Sequence, residues 1–268
     1  MSRTSSSVLM YHDVVDAPDP DASGFPGAAA ATFKVEAAMF ERQLEAIEHR
    51  AGAPATHLLD SAVTPVGGGW LLTFDDGGVS AVTHVADRLE ARRWHGTFFI
   101  TTDRIGTPGF LTVAQVRDLA ARGHVIGSHS RSHPRSMSSC PRDVVRAEWR
   151  ESVGALTEML GEPVVHASVP NGEFNRMVGE EAAAAGIRVL FTSDPTRSRF
   201  LLDGCLIVGR YNVRSTSSPD WVAAVAAGDR GARYAQWLGW KLKGFAKGIS
   251  PDLYQSLRER WMSRSSES

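Results

Sequence analysis

Two short stretches carry most of the chemistry open to this sequence. They are Thr73-Phe74-Asp75-Asp76-Gly77-Gly78 and Gly127-Ser128-His129-Ser130-Arg131-Ser132-His133-Pro134. Together they supply two adjacent carboxylates and two imidazoles four residues apart. A divalent ion such as zinc is commonly held by three ligands drawn from His, Asp and Glu, with a further position open to water. His129 and His133 offer two of the three. On a helical turn, residues four apart lie on one face, which is where the pair is expected. Asp75 or Asp76 completes the set. A metal lowers the pKa of bound water to about 7, and the remaining carboxylate can take its proton. Neighbouring side chains of a strand point to opposite faces, so at a strand end one Asp can meet the metal and the other the water. The inventory reads as a hydrolase. Taken singly, Asp-Asp-Gly is an ordinary turn and a lone His is more often structural. The combination is what argues for a site.

These residues need a frame, and the apolar pattern supplies one. Residues 8–11, 70–74, 96–100, 124–127, 163–168, 187–192 and 205–208 are short apolar runs that read as buried strands. Between them, 35–50, 79–93, 113–122, 141–160 and 177–185 carry helical spacing. Gly52 and Pro54 close the first helix, Thr112 caps the third and Gly123 ends it. Residues 16–32 form a Pro/Gly/Ala-rich loop. Strands alternating with helices imply a parallel sheet covered by helices. Both motifs fall at C-terminal strand ends, where a parallel α/β barrel gathers its functional residues.

The bulk numbers narrow the class. A chain of 268 residues with 43% hydrophobic content can bury a real core. A formal net charge of −1 gives no reason to expect a nucleic-acid partner. Cys140 and Cys205 have no metal-binding spacing and are read as unrelated thiols. The apolar run at 8–10 is too short for a secretory signal, and no stretch is long enough for a transmembrane helix. The chain is therefore expected in the cytoplasm or at the inner face of the membrane.

The residues above resemble the polysaccharide deacetylases of the NodB-homology type, carbohydrate esterase family four. That family's first motif matches Thr73-Phe74-Asp75-Asp76-Gly77, and its second matches His129 to Pro134. Gly96-Thr97-Phe98-Phe99-Ile100 and Gly123-His124-Val125-Ile126-Gly127-Ser128-His129 also read like it. The resemblance covers roughly residues 7–213 and is similar to the variant form found in exopolysaccharide-associated deacetylases. It implies a distorted (β/α) barrel with fewer than eight strands. It implies Asp75 as catalytic base and Asp76, His129 and His133 as ligands of one divalent ion. Zinc stands first for that ion, with cobalt, nickel, manganese or iron as alternatives. The implied reaction is removal of an acetyl group, N-acetyl before O-acetyl, from a sugar polymer or sugar intermediate by attack of a metal-bound water. A backbone N–H would help hold the oxyanion.

The chain departs from the family in two places. Where the third motif has Arg-Pro-Pro-Tyr-Gly, this sequence has Ser168-Val169-Pro170-Asn171-Gly172. The turn survives, with Asn171 as candidate backbone oxyanion donor, but the Arg that orients the base is gone. Arg210, after the strand at 205–208, is the candidate substitute, against the plain reading of a surface Arg. The family's final motif carries a His that acts as general acid, and no His follows His166. His12 is the candidate acid, with Asp13 and His166 holding lesser claims and His124 read as structural.

The expected activity is that of a metal-dependent carbohydrate deacetylase acting on an acetylated saccharide, a hydrolase of carbon–nitrogen bonds other than peptide bonds. Two alternatives stand beside it: a glycan-binding or assembly module that has lost turnover, and a related C–N hydrolase acting on a small amide. A phosphohydrolase using Asp75 as nucleophile leaves the His pair without a task. Residues 1–225 are assigned to the barrel and 226–268 to a basic aromatic C-terminal extension. Within the extension, 230–247 interleaves Arg230, Arg233, Lys241, Lys243 and Lys247 with Tyr234, Trp237, Trp240 and Phe245. That pattern suits either a helix packed on the barrel or peripheral membrane contact. Residues 263–268 read as disordered.

Overall fold

The structure is a computed structural model that describes residues 7–16, 19–52, 54, 69–234 and 236–238. The expectations for 263–268, and most of those for 230–247, lie outside the described residues.

Eleven strands and seven helices make up the fold among these residues. The strands are β1 (Ser7–Tyr11), β2 (Val14–Val15), β3 (Val35–Glu36), β4 (Trp70–Phe74), β5 (Thr97–Ile100), β6 (Val125–Ser128), β7 (His166–Ser168), β8 (Val189–Phe191), β9 (Arg199–Leu202), β10 (Cys205–Val208) and β11 (Tyr211–Asn212). The helices are α1 (Ala28–Ala31), α2 (Ala37–Ala51), α3 (Ala86–Glu90), α4 (Val113–Ala121), α5 (Arg142–Leu160), α6 (Arg176–Ala184) and α7 (Pro219–Ala226).

One sheet runs β11-β1-β4-β5-β6-β7-β8-β10-β9, and β2 pairs with β3 beside it. Seven strands of three or more residues run parallel, as the barrel reading expects. Two-residue β11 extends one end in parallel, and antiparallel β9 closes the other. Strands β1, β4 and β5 are buried along their whole length. That is why they read as continuous apolar runs rather than alternating ones.

The sheet curls. Phe99 of β5 and Phe191 of β8 are three strands apart, roughly 14 Å in a flat sheet. Their ring centroids are 5.3 Å apart. Val8, Leu71, Phe99, Val189, Phe191, Leu206 and Val208 form one cluster on the concave side. Gly127 makes room there, because a Cβ on it would lie 2.6 Å from the Phe99 ring. The alternate residues, such as Leu9, Tyr11, Leu72, Phe74 and Phe98, face a larger core under the helices.

This alternation decides where the chemistry lies. Side chains two apart share a face. Extending the concave rows therefore carries 8 to 12, 71 to 75, 127 to 129 and 206 to 210. All these extensions leave the C-terminal ends of parallel strands, so they meet on one rim.

The helices follow the expected spans with shifts at their ends. Thr112 caps α4 with a full capping box to Gln115. The helix expected from 35 begins at Ala37, because Val35 and Glu36 pair with β2. Between Ser80 and α3 the chain makes one π-helical turn, Ala81–Val85. Helix α7 was not anticipated. Its Val222, Val225 and Ala226 pack into the core with Phe40, Leu44 and Ile47 of α2. Farther on, Gln236 makes two hydrogen bonds to the backbone of Asn212, at 3.1 and 2.7 Å. Among the described residues no helix is long and apolar enough to cross a membrane. Cys140 and Cys205 are both free thiols.

Candidate active site

The aspartate pair leaves β4 in two different conformations. Asp75 continues the strand, its N–H bonding the Tyr11 carbonyl at 3.0 Å. Asp76 turns into the left-handed region with φ 76°, and Gly77 follows at 84°. The break in conformation separates the two carboxylates. Among the described residues, four of the six non-glycine residues with positive φ are at this rim: Asp76, Ser130, His133 and Asn171. Strained backbone of this kind collects at functional sites.

Asp76, His129 and His133 converge. Their donor atoms lie within 4.8 Å of one another. Asp76 Oδ1 is 3.3 Å from His129 Nε2 and 3.5 Å from His133 Nε2. Ligands at about 2.1 Å from a tetrahedral ion sit about 3.4 Å apart, so these spacings fit a divalent cation. The donor chemistry fits as well. His129 Nδ1 is 3.0 Å from the Ser168 carbonyl and donates to it, which leaves the Nε2 lone pair toward Asp76. Burial pushes the His129 pKa down, but Asp75 and Asp76 outweigh it and the net shift is upward. The site thus favours positive charge at that point. Burial and the charge of His129 lower His133 to about 4, keeping its ring neutral.

The expected helical turn under the His pair is not there. Residues 129–133 are a loop beyond β6, and its two left-handed residues, Ser130 and His133, bring the rings together. Their centroids are 5.0 Å apart. The loop is braced from α5 by Glu148, which accepts from the N–H groups of Arg131 (3.0 Å) and Ser132 (2.8 Å) and from the Ser132 hydroxyl (2.7 Å). His133 N–H bonds Ser130 Oγ at 3.1 Å.

Asp75 faces the same nitrogen of His129 from farther off, its Oδ2 3.9 Å from Nε2. Arg210 grips it with two parallel hydrogen bonds, Nη1 to Oδ1 at 2.7 Å and Nη2 to Oδ2 at 2.8 Å. The surface reading of Arg210 is overturned, since the residue is 0% exposed. Its Nε donates to the Thr192 carbonyl and its Nη1 also to Thr73 Oγ1, both at 3.0 Å. The rings of Phe99 and Phe191 face the guanidinium at 5.6 and 5.9 Å. Burial pushes the Asp75 pKa up, but Arg210 and His129 override it and hold the carboxyl well below the usual range. Asp76 is likewise held low: burial raises it, and the hydrogen bond and charge of His129, with His12, outweigh that.

Ser168 is the residue that sequence reasoning passed over. It occupies the position of the family's missing Arg. Its hydroxyl accepts from Arg210 Nη2 at 2.7 Å and donates to Asp75 Oδ2 at 3.0 Å. Its carbonyl holds His129. One residue therefore touches both the base candidate and a ligand candidate.

The other candidates are dispersed around this centre. His12 follows β1, close enough to act on the charges of Asp75, Asp76 and His133. Its ring packs on Phe33 at 4.9 Å. Asn171 sits at φ 55° in the tight turn Pro170–Gly172. Asp13 is buried, and its Oδ1 accepts from the hydroxyls of Ser23 and Ser80. His166 begins β7, at the opposite end from Ser168. His124 is structural, accepting from Gly96 N–H and facing Glu90 at 3.0 Å.

Residues 63–190 match the sequence model of the polysaccharide deacetylase family. Over that stretch the chain is similar to the polysaccharide deacetylases. A chitooligosaccharide deacetylase of Rhizobium leguminosarum bv. trifolii is 29% identical over 126 residues, 46% of this chain and 56% of that protein. The chain spans about half the length of the curated relatives it matches. The deacetylase fold extends further than the sequence match. The Streptococcus pyogenes deacetylase PplD, solved with acetate, superposes with a TM-score of 0.68 at 20% identity, covering 84% of this chain and 99% of that one. IcaB from Ammonifex degensii superposes with a TM-score of 0.65 at 22% identity, covering 84% and 98%. Asp75, Asp76, His129, His133, Ser168 and Asn171 fall within the stretch that the family model matches. His12 and Arg210 fall outside it.

Proposed function

We propose that this chain is a divalent-metal-dependent carbohydrate deacetylase. It hydrolyses an acetyl group, N-acetyl before O-acetyl, on a sugar polymer or sugar intermediate. The observation that carries the reading is the convergence of Asp76, His129 and His133 beside a carboxylate, Asp75, that makes a separate set of contacts. A divalent ion held by those three residues, zinc first, supplies a Lewis acid that polarises a carbonyl and lowers the pKa of water to about 7.

Asp75 is the base. It accepts three hydrogen bonds, from Arg210 twice and Ser168 once. A carboxylate has about four lone-pair sites, so one is left for a proton. A carboxylate held low by Arg210 is a weak base, and it would suffice where a cation held by the three ligands acidifies the water. Arg210 and Ser168 orient it. His12, at the same rim, donates a proton to the leaving amine. The Asn171 N–H, in its left-handed turn beside Ser168, is the oxyanion donor.

The binding-module alternative rested on two absences, the Arg of the third motif and the His of the final one. Arg210 supplies a guanidinium on Asp75 from a different strand end, which answers the first of them. Peripheral membrane contact through 230–247 belongs to the same proposal. Tyr234 and Leu238 are exposed, and the sequence continues through Lys241, Lys243 and Lys247.

The test is a substrate comparison with the zinc-loaded protein. Acetylated chitooligosaccharides, an O-acetylated sugar and small cyclic amides are offered at matched concentration, and acetate or ring-opened product is measured. Acetate from the N-acetylated sugars supports the reading. Turnover of the amides alone replaces it with the small-amide hydrolase.

A further inference from the structure

The two imidazoles of the proposed centre are supported in different ways. His129 is oriented by a hydrogen bond from Nδ1 to the Ser168 carbonyl. Ligating histidines nearly always have such a bond, and it fixes their ring. His133 has none: among the described residues no acceptor faces its Nδ1. Its backbone is in the left-handed region, φ 62°. Its ring instead lies against two others, His129 at 5.0 Å and Phe25 at 4.8 Å.

Phe25 is held firmly. Its ring meets Phe110 edge-on at 5.1 Å, and the Arg104 guanidinium lies over it at 5.1 Å. The two residues before it are anchored to the interior. Ser23 Oγ donates to the buried carboxylate of Asp13 at 2.6 Å and accepts from Ser80 N–H at 2.8 Å. The buried Lys34 ammonium donates to the Ser23 carbonyl at 2.7 Å. Gly24 N–H bonds the Gly109 carbonyl at 2.8 Å. Asp13 presses against glycines on both sides, since a Cβ on Gly24 or Gly78 would lie 1.9 Å from one of its oxygens. The anchor therefore runs from the chain after β1, through Asp13, to the segment that ends at Phe25.

From this geometry we infer that Phe25 is a positioning residue for the metal ligand His133, replacing by ring packing the hydrogen bond that His133 lacks. The Asp13–Ser23–Gly24 anchor fixes Phe25 in turn. This inference rests on the metal-centre reading above and adds a residue outside both motifs.

The test measures zinc affinity of the purified full chain by competition with a chromophoric chelator, together with the melting temperature of the metal-free protein. Phe25→Ala is expected to weaken zinc binding by about 10- to 100-fold, the scale typical of lost ligand support, with the metal-free melting temperature near wild type. Phe25→Tyr restores the affinity because it restores the ring. Should Phe25→Ala fail to fold, Phe25→Leu carries the same comparison with a smaller loss. A wild type that binds no zinc overturns the metal centre and this inference together. A wild type that binds zinc, with Phe25→Ala and Phe25→Leu binding equally well, overturns this inference alone.

Discussion

The Arg210 guanidinium holds both oxygens of Asp75, at 2.7 and 2.8 Å, with both residues buried. The two are separated by 135 positions and leave different strands, β4 and β10. Two-point contact of this kind needs the planar fork of Arg. Removing one partner of a buried pair leaves the other charge stranded.

Arg210→Met is therefore expected to cost about 3–5 kcal/mol of stability, read by urea unfolding. Burial then acts on Asp75 without its main counterweight, so its pKa rises. The acid limb of the pH–rate profile moves to higher pH. Arg210→Lys retains a charge but not the fork, and is expected to recover only part of the stability. An acid limb that stays in place would separate Arg210 from the control of Asp75.

Ser168→Ala removes a hydroxyl that Arg210 donates to and Asp75 accepts from. The expected loss is about 1–3 kcal/mol, smaller than for Arg210→Met, with a reduced kcat. The Ser168 carbonyl remains to hold His129. Zinc affinity should therefore match wild type, and isothermal titration distinguishes this from general damage to the site.

Much of this arrangement was legible in the sequence. The buried strands were visible because strands covered on both faces are uniformly apolar, and the residues expected to act at their ends meet on one rim. The donor set was legible as residue types, but the conformation beneath it was not. HxxxH spacing suggested a helical turn, whereas Ser130 and His133 adopt left-handed backbone that no residue type announces. Ser168 was hidden because its hydroxyl matters only beside Arg210, 42 positions away. Strands β9 and β11 escaped notice for local reasons: β9 exposes Phe200 and Leu201 at the sheet edge, and β11 is two residues long. Helix α7, rich in alanine, gives little periodic contrast to read.

His124 makes a pH prediction away from the site. Burial holds its pKa below the usual value, outweighing Glu90. The unfolded chain titrates near the ordinary value of about 6.5. Below that pH the unfolded state takes up a proton that the folded state resists, so stability falls. The contribution is fully present above about pH 6.5 and is lost as pH drops toward the folded value. Glu90, itself held low by Arg122, has the same sign but acts nearer the carboxylate range. His133, lowered to about 4, titrates in the same window with the same sign, so it is the difference between wild type and a His124 variant in urea unfolding that isolates His124. His124→Asn, which keeps an acceptor for the Gly96 N–H, should flatten the pH dependence there. An unchanged slope would remove His124 as its source.

The central claim is that Asp75 acts as a base beside a cation held by Asp76, His129 and His133. Its most direct test is acetate release from an N-acetylated chitooligosaccharide by wild type and Asp75→Asn, each with its bound zinc quantified in the same samples. The account predicts acetate from wild type, a loss of about 10²- to 10⁴-fold in Asp75→Asn, and one zinc per chain in both. Equal rates in the two proteins, or no acetate from zinc-loaded wild type, would contradict it.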